Sequence, residues 1–328
     1  MRLLFVVAAL MFASLAMGQV SKSEKTVNFI PAKPDPAVGD WQGEGELVAQ
    51  VFTTPGDAYQ ANLLKSFDTA GTAVAVLKGV KSSDAITFTG DGWTATIQGS
   101  NFTGSKGDEK LNLQHVNRTP PTLGATPPQG AVVLFDGKNL DAWATKAGKN
   151  WLEEAGPAKW KIIDDGAMEV VPGTDSIISH QKFGDSHIHA EFRTLGAPAN
   201  SGVFIQNRYE VNINETYGQL EKGANGGLDN CTEKVPPAKR ASLPPLAWQT
   251  LDIDFRAPRF DAAGKKTANA RATVVLNGVK IYDNQALDQP HGAAGRFGEA
   301  PSGQLQLQEH GVPVQFRNIW VMELKSTD

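Results

Sequence analysis

The sequence predicts an all-β protein: an antiparallel two-sheet sandwich over its second half, preceded by a small β-meander or barrel. Three observations carry this. Period-two alternation of apolar and polar residues recurs in run after run, while the 3.6-residue period of an amphipathic helix is scarce. Gly (33) and Pro (19) are plentiful and punctuate those runs, as turns between short strands require. The 328 residues are enough for two units with cores of their own. No cluster of helical segments is available to cover the strands, so stacking two sheets is the way to bury their apolar faces.

The first element is a processing segment. Arg2, the apolar run Leu3 to Leu15 and the small-x-small Ala16-Met17-Gly18 read as an export signal covering residues 1–18. The mature chain is expected to start near Gln19 and to work in the periplasm or outside the cell. The apolar run is short for a bilayer and no later run is longer, so no membrane insertion is expected. Residues 19–40 are polar with Pro31, Pro34 and Pro36, a flexible lead. Net charge is −4, with no basic block or basic amphipathic helix, which excludes a nucleic-acid partner. The lone Cys231 cannot form an intramolecular disulfide and reads as a small packed side chain rather than a nucleophile. Asn-x-Thr sequons at Asn101, Asn117, Asn214 and Asn230 matter only in a host that glycosylates them.

Residues 41–118 hold short strand-like runs: Glu46–Phe52, Tyr59–Leu64, Ala73–Leu77, Ala85–Thr89, Trp93–Ile97 and Lys110–Val116. Gly-Asp, Asp-Gly and Ser-rich turns separate them. They contain no catalytic cluster, and His115 reads as structural. Residues 119–130, with two Pro-Pro pairs, are an extended linker. The second domain, 131–326, opens with Val132-Val-Leu-Phe135 and resumes strands at Trp160–Ile163, Ala167–Val171 and Ile177–His180. Thr216–Pro245 is irregular and long for a loop, which marks it as functional or mobile. Strands return at Trp248–Arg256, Ala270–Leu276, Val279–Tyr282 after an Asn277-Gly278 turn, Gly303–Gln308 and Val314–Leu324.

The stretch Ser186–Asn214 organises this domain. Ile188, Ala190 and Phe192 share one strand face; His187, His189, Glu191 and Arg193 share the other. Beyond a Gly/Pro/Ala break, Val211 and Ile213 face the core, and Glu210, Asn212 and Asn214 line the opposite side. If the break joins strands of one sheet, the two polar rows form one face suited to a sugar cleft. An ordinary solvated face is the alternative reading.

A set of motifs then resembles one family. It comprises Leu134-Phe-Asp-Gly-Lys-Asn-Leu140 with Trp143, Phe183-Gly-Asp185, His189-Ala-Glu191-Phe-Arg193, Asn200-Ser-Gly202 and Tyr209-Glu-Val211. Trp248-Gln-Thr-Leu-Asp252, Asn277-Gly-Val279, Leu307-Gln-Glu-His-Gly311 and Phe316-Arg-Asn-Ile-Trp320 complete it. Over roughly residues 131–324 the chain resembles the 3-keto-disaccharide hydrolase domain family. The resemblance implies a concanavalin A-like jelly-roll sandwich and a carbohydrate substrate. Two departures stand out: Asn230-Cys-Thr-Glu-Lys replaces a Cys-Gly-Ala-Ile-Tyr-like segment, and Glu210-Val-Asn212 replaces Glu-Val-Gln.

In a 3-keto sugar the carbonyl acidifies the C2 proton. A base removes it, the C1 substituent leaves by β-elimination, and water adds. This needs a base near C2, donors at the C3 oxygen and an acid at the leaving oxygen. Glu191, Glu210, His310 and Arg317 are the catalytic candidates, expected in one cleft; His189, Asn200, Asn212, Gln308 and Trp248 are the substrate-binding candidates. Two other classes stay open. One is a two-carboxylate glycosidase, which wants carboxyl groups about 5–5.5 Å apart; here the middle acid of the strand is Asn212 and Glu215 has the wrong parity. The other is a sugar-binding module without catalysis, since fold alone decides neither. His187, His189 and Glu191 on one face, and Asp252 with Asp254, leave room for a divalent metal, calcium or a transition ion.

Overall fold

The structure, a computed structural model, describes residues 28–56, 58–68, 72–219, 225–228 and 236–325. The segment expected to be an export signal, the start of the lead, Cys231 and the Asn230 sequon lie outside the described residues. The lead contributes a two-residue strand, β1 (Ile30–Pro31).

Eight strands then follow: β2 (Gly39–Gln42), β3 (Val48–Thr54), β4 (Ala58–Leu64), β5 (Ala75–Ser82), β6 (Ala85–Gly90), β7 (Trp93–Gln98), β8 (Asn101–Lys106) and β9 (Glu109–Val116). Each pairs with the next, and β9 returns to β2 with Trp41 opposite His115, closing a barrel. Alternate residues fill it, among them Trp41, Leu63, Leu77, Phe88, Phe102 and Leu113. The sequence reading missed β2 and β8. In β8 only Phe102 is a buried hydrophobic, and Gly104 sits so close to β7 that an added Cβ would lie 2.5 Å from that of Ala95. The strand therefore carries little apolar pattern to read. His115 meets Trp41 edge-on at 5.2 Å, the structural role expected of it.

The remaining strands are β10 (Val132–Phe135), β11 (Trp143–Ala147), β12 (Asn150–Pro157), β13 (Lys161–Ile162), β14 (Met168–Glu169), β15 (Ile177–Phe183), β16 (Ser186–Thr194), β17 (Gly196–Ala197), β18 (Asn200–Ile205), β19 (Tyr209–Asn214), β20 (Gln249–Arg256), β21 (Arg259–Phe260), β22 (Lys266–Ala268), β23 (Ala270–Leu276), β24 (Val279–Leu287), β25 (Gly303–Leu307) and β26 (Val314–Glu323). Two antiparallel sheets stack, as the sandwich expectation requires. One has eight strands in the order β13-β14-β26-β16-β20-β23-β24, with β10 also on β26; the other has six, β12-β11-β15-β25-β18-β19. Ile188, Ala190, Phe192, Ile253 and Phe316 from the first sheet meet Val203, Val211, Ile213 and Leu305 from the second in a single core.

The break before Asn200 does not join strands of one sheet. β16 belongs to the eight-stranded sheet, β18 and β19 to the six-stranded one. The chain changes layers at Gly196, whose φ is 154°. A Cβ there would lie 2.1 Å from Ile30 O, because β1 pairs with β17 at this corner. Only glycine permits so close a backbone approach. The described parts of the 216–245 region form a seam with the barrel. The Tyr217 hydroxyl donates to Asp40 at 2.8 Å, Asn62 Nδ2 donates to Gly218 O at 2.6 Å, and Arg118 pairs with Asp40 at 2.6 Å. No described helix is long and apolar enough to cross a membrane.

Candidate active site

The layer change splits the expected cleft. Ile188, Ala190 and Phe192 lie in the core, so His189 and Glu191 point out of the eight-stranded sheet. Tyr209, Val211 and Ile213 lie in the core from the other sheet, so Glu210 and Asn212 point out of the six-stranded one. The two polar rows are on opposite sides of the sandwich, and Glu191 with Arg317 cannot share a cleft with Glu210. Alternation tells which side of a strand is apolar. It does not tell which sheet the strand joins.

On the eight-stranded side the ionisable row is a buried clamp. His189 Nδ1 lies 2.7 Å from Asp252 on β20. Glu191 receives the Gly124 N–H at 2.5 Å, Arg317 Nε at 2.7 Å and Asn318 Nδ2 at 2.9 Å. The Thr122 hydroxyl donates to Asp252 at 2.6 Å, and Asn318 also donates to Ala125 O. The linker therefore lies across this face and fully buries His189 and Glu191. Burial alone would raise the Glu191 carboxyl; its bonds from His189, Asn318, Arg317 and Gly124 outweigh that and hold it at about 2. Burial disfavours the His189 imidazolium, but Asp252 and Glu191 more than offset this and raise its pKa. A carboxylate with its acceptor positions taken up is a poor base. Trp248 lies under the guanidinium groups of Arg193 (4.5 Å) and Arg317 (4.1 Å), a cation–π arrangement. His187 is paired with Asp254 at 2.7 Å. Among the described residues no group of three or more His, Cys, Asp or Glu side chains is arranged to hold a metal ion.

The outer face of the six-stranded sheet is built differently. Register places Gln306, Phe204 and Glu210 in one row across β25, β18 and β19, with Gly202 opposite Asn212 in the next and Asn200 opposite Asn214 beyond it. The Gln308 N–H bonds Gly202 O at 3.0 Å, which sets Gln308 beside that second row. Gly202 leaves a hollow among these side chains, and the Glu210 carboxylate leans over it: an added Cβ would lie 2.6 Å from Glu210 Oε1. Glu210 is 3% exposed, and its Oε2 is 3.1 Å from Nε2 of His291. His291 stands edge-on to Phe204 at 5.4 Å. From the other side the β11–β12 hairpin curls over the sheet and sets Trp151 edge-on to the same ring at 5.6 Å. Asn207 Nδ2 donating to Trp151 O at 2.7 Å pins the tip. Lys146, nearly buried, pairs with Asp175 at 2.9 Å and lies 5.5 Å from the Trp151 ring.

Glu210, Asn200, Asn212 and Gln308 thus fall on one face. His310 lies in the exposed segment after β25. The imidazole in contact with Glu210 is that of His291. It sits in Gln289-Pro-His-Gly292, a turn segment without strand parity, so no sequence pattern assigns it to a face. Trp151 and Lys146 lie on β12 and β11, two strands the sequence pattern did not reveal. Gly202→Ala should push the carboxylate off the hollow, lowering turnover about tenfold or more while shifting thermal stability little, since a flexible side-chain end yields. Turnover equal to wild type would remove the hollow from the site.

A sheet face that presents a carboxylate, an imidazole and several amides beside aromatic rings suits a sugar, and the comparisons agree: this is a carbohydrate-active, glycosyl hydrolase-like protein. A crystal structure from Parabacteroides distasonis, named a "putative glycosyl hydrolase", is 31% identical with a TM-score of 0.52, over 60% of this chain and 85% of that one. A second so named from the same organism is 20% identical, TM-score 0.41, over 59% and 99%. No curated protein matches. Residues 130–322 match the 3-keto-alpha-glucoside-1,2-lyase-like domain, and the chain belongs to that family.

Proposed function

We propose that the sandwich cleaves 3-keto-glycosides or 3-keto-disaccharides on the outer face of the six-stranded sheet. The observation that carries this is the contact of the buried Glu210 carboxylate with the half-buried His291, 3.1 Å apart, over the Gly202 hollow. Glu210 takes the C2 proton and the electron pair passes to the C3 carbonyl oxygen as an enolate. The enolate collapses, the C1–C2 double bond forms, and the C1–O bond breaks. His291, in contact with Glu210, returns a proton to the departing oxygen. Water then adds across the double bond, hydroxide to C1 and proton to C2, giving net hydrolysis. The Gln306 and Gln308 amide NH2 groups are available to the developing enolate oxygen. A two-carboxylate glycosidase is less well supported, because across the sheet from Glu210 stand Phe204 and Gln306 rather than a second acid.

The test offers the protein a disaccharide and its enzymatically 3-oxidised form and follows monosaccharide release. Release from the oxidised sugar alone is the expected result. Release from the unoxidised sugar moves the protein to the two-carboxylate class, and binding without turnover of either makes it a sugar-binding module. Addition of chelator to parallel reactions reports any metal requirement.

A further inference from the structure

Strand β25 and its continuation carry three glutamines on the outer face, Gln304, Gln306 and Gln308. Their amides are used in two different ways. Gln304 donates to Glu154 at 3.4 Å and accepts from Asn207 at 3.5 Å. Gln306 is 1% exposed, yet its Oε1 is buried with no hydrogen-bond partner, and so is Oε1 of Gln308. The other buried side-chain amide oxygens without partners belong, among the described residues, to Gln206 and Asn207 in the β18–β19 turn. Those two amides are nonetheless anchored through their NH2 groups, Gln206 to Phe183 O and Asn207 to Trp151 O. Neither Gln306 nor Gln308 makes a side-chain hydrogen bond to a described residue.

An unmade hydrogen bond at a buried amide is costly, and native interiors leave few such groups without a reason. Here two occur two residues apart on one strand face, so their Cα atoms are separated by about 6.8 Å. Gln306 stands in the row of Glu210, and Gln308 is bonded through its N–H to Gly202, over which Glu210 leans. A buried amide carbonyl asks for an O–H donor, and its own NH2 can serve a neighbouring carbonyl oxygen. An α-hydroxy ketone presents that combination: a hydroxyl that donates beside a carbonyl that accepts. In a 3-keto pyranose the arrangement is doubled, since C3 is flanked by hydroxyls on C2 and C4.

We propose that Gln306 and Gln308 read the hydroxyls flanking the 3-keto group, each accepting from one hydroxyl, and so set the ring's orientation with C2 toward Glu210. This rests on the 3-keto-glycoside reading of the site and adds the contacts that select among such sugars. A site that hydrogen-bonds a substrate hydroxyl discriminates strongly against the analogue lacking it, because its own buried group is then left unpaired.

The experiment compares wild type, Gln306→Met, Gln308→Met and Gln304→Met, measuring kcat and KM on a 3-oxidised disaccharide and on its 4-deoxy counterpart, with thermal melts of each. Wild type should prefer the hydroxylated sugar by about tenfold or more in kcat/KM. One of the Gln306 and Gln308 variants should lose most of that preference, with KM for the full substrate raised about tenfold and Tm unchanged or higher, because a buried unpaired oxygen is gone. Gln304→Met should do the reverse, lowering Tm and keeping the preference. If wild type turns over the oxidised sugar while both variants keep its full preference for the 4-hydroxyl, the assignment of the two amides is overturned and the reaction stands. If wild type leaves the oxidised sugar uncleaved, the reaction itself is overturned, and this assignment with it.

Discussion

Glu210→Gln should lower kcat on a 3-oxidised disaccharide by about 10²-fold or more, with KM changed far less. The amide keeps the shape of the carboxylate over the Gly202 hollow but cannot take a proton, so the loss falls on the chemical step rather than on binding. His291→Ala should cost a comparable factor, and the double variant little more than either single one, because the two side chains form one proton-transfer unit at 3.1 Å. His310→Ala, in the exposed segment after β25, should turn over as wild type does. Steady-state kinetics on the four proteins decides this. A Glu210→Gln enzyme with wild-type kcat removes the proposed base, and a large loss in His310→Ala would return that residue to the site.

The second large effect is on stability. Glu191→Gln should destabilise the fold by about 3 kcal/mol, the range for removing one partner of a buried ion pair, and lower Tm by roughly 10 °C. The donors on Gly124, Arg317 and Asn318 lose their anionic acceptor, and His189 loses a charge that favours its protonated form. The pH dependence has a definite sign. The folded Glu191 carboxyl sits at about 2 against 4.5 ordinarily, so the unfolded chain binds more protons between those values. Its contribution is complete above pH 4.5 and is lost as pH falls toward 2, about 3 kcal/mol in all. His189 has the opposite dependence. Its raised pKa contributes fully below 6.5 and is lost as pH rises through the folded value. The difference in unfolding free energy between wild type and Glu191→Gln should therefore be largest between about pH 4.5 and 6.5 and shrink on the acid side. Denaturant titrations at several pH values measure it. A difference independent of pH from 6 to 3 would show that the carboxylate is not held by these donors. Turnover of the 3-keto sugar should survive the substitution wherever the protein stays folded, since the clamp faces away from Glu210.

These two outcomes separate residues that look alike in the sequence. His189-Ala-Glu191-Phe-Arg193 and Tyr209-Glu-Val211-Asn present the same alternation of apolar and polar side chains, and that alternation correctly gives the core face of each strand. What it lacks is layer membership, because the polar side of either sheet is the outside of the sandwich. The corner at Gly196, where β1 crowds the backbone, puts the strands in different sheets, and that contact lies far apart in the chain. The barrel was legible where its strands carry apolar residues at every second position, as in Trp93-Thr-Ala-Thr-Ile97, and illegible at β8, where Gly104 replaces a core side chain. Gln308, Asn200 and Asn212 could be found because they sit on strands with clear parity. His291, Trp151 and Lys146 could not, since a turn and a curled hairpin bring them in. The Pro-rich linker read as a spacer because its composition is that of an extended segment; its use of Gly124 N–H and the Thr122 hydroxyl depends on an acidic row supplied by β16 and β20.

The order of strands around the barrel has a consequence for how the chain assembles. Seven of its eight pairings join neighbours in sequence, so each forms by closing a small loop at little entropic cost. The pairing of β2 with β9 is the exception, joining the two ends of the unit. It brings Trp41 beside His115 and places Asp40 where Arg118 and Tyr217 reach it. Local hairpins form quickly and long-range registry forms slowly. Closure at this one seam is therefore expected to be the slow event of the barrel, and it places Asp40 where the sandwich domain meets it.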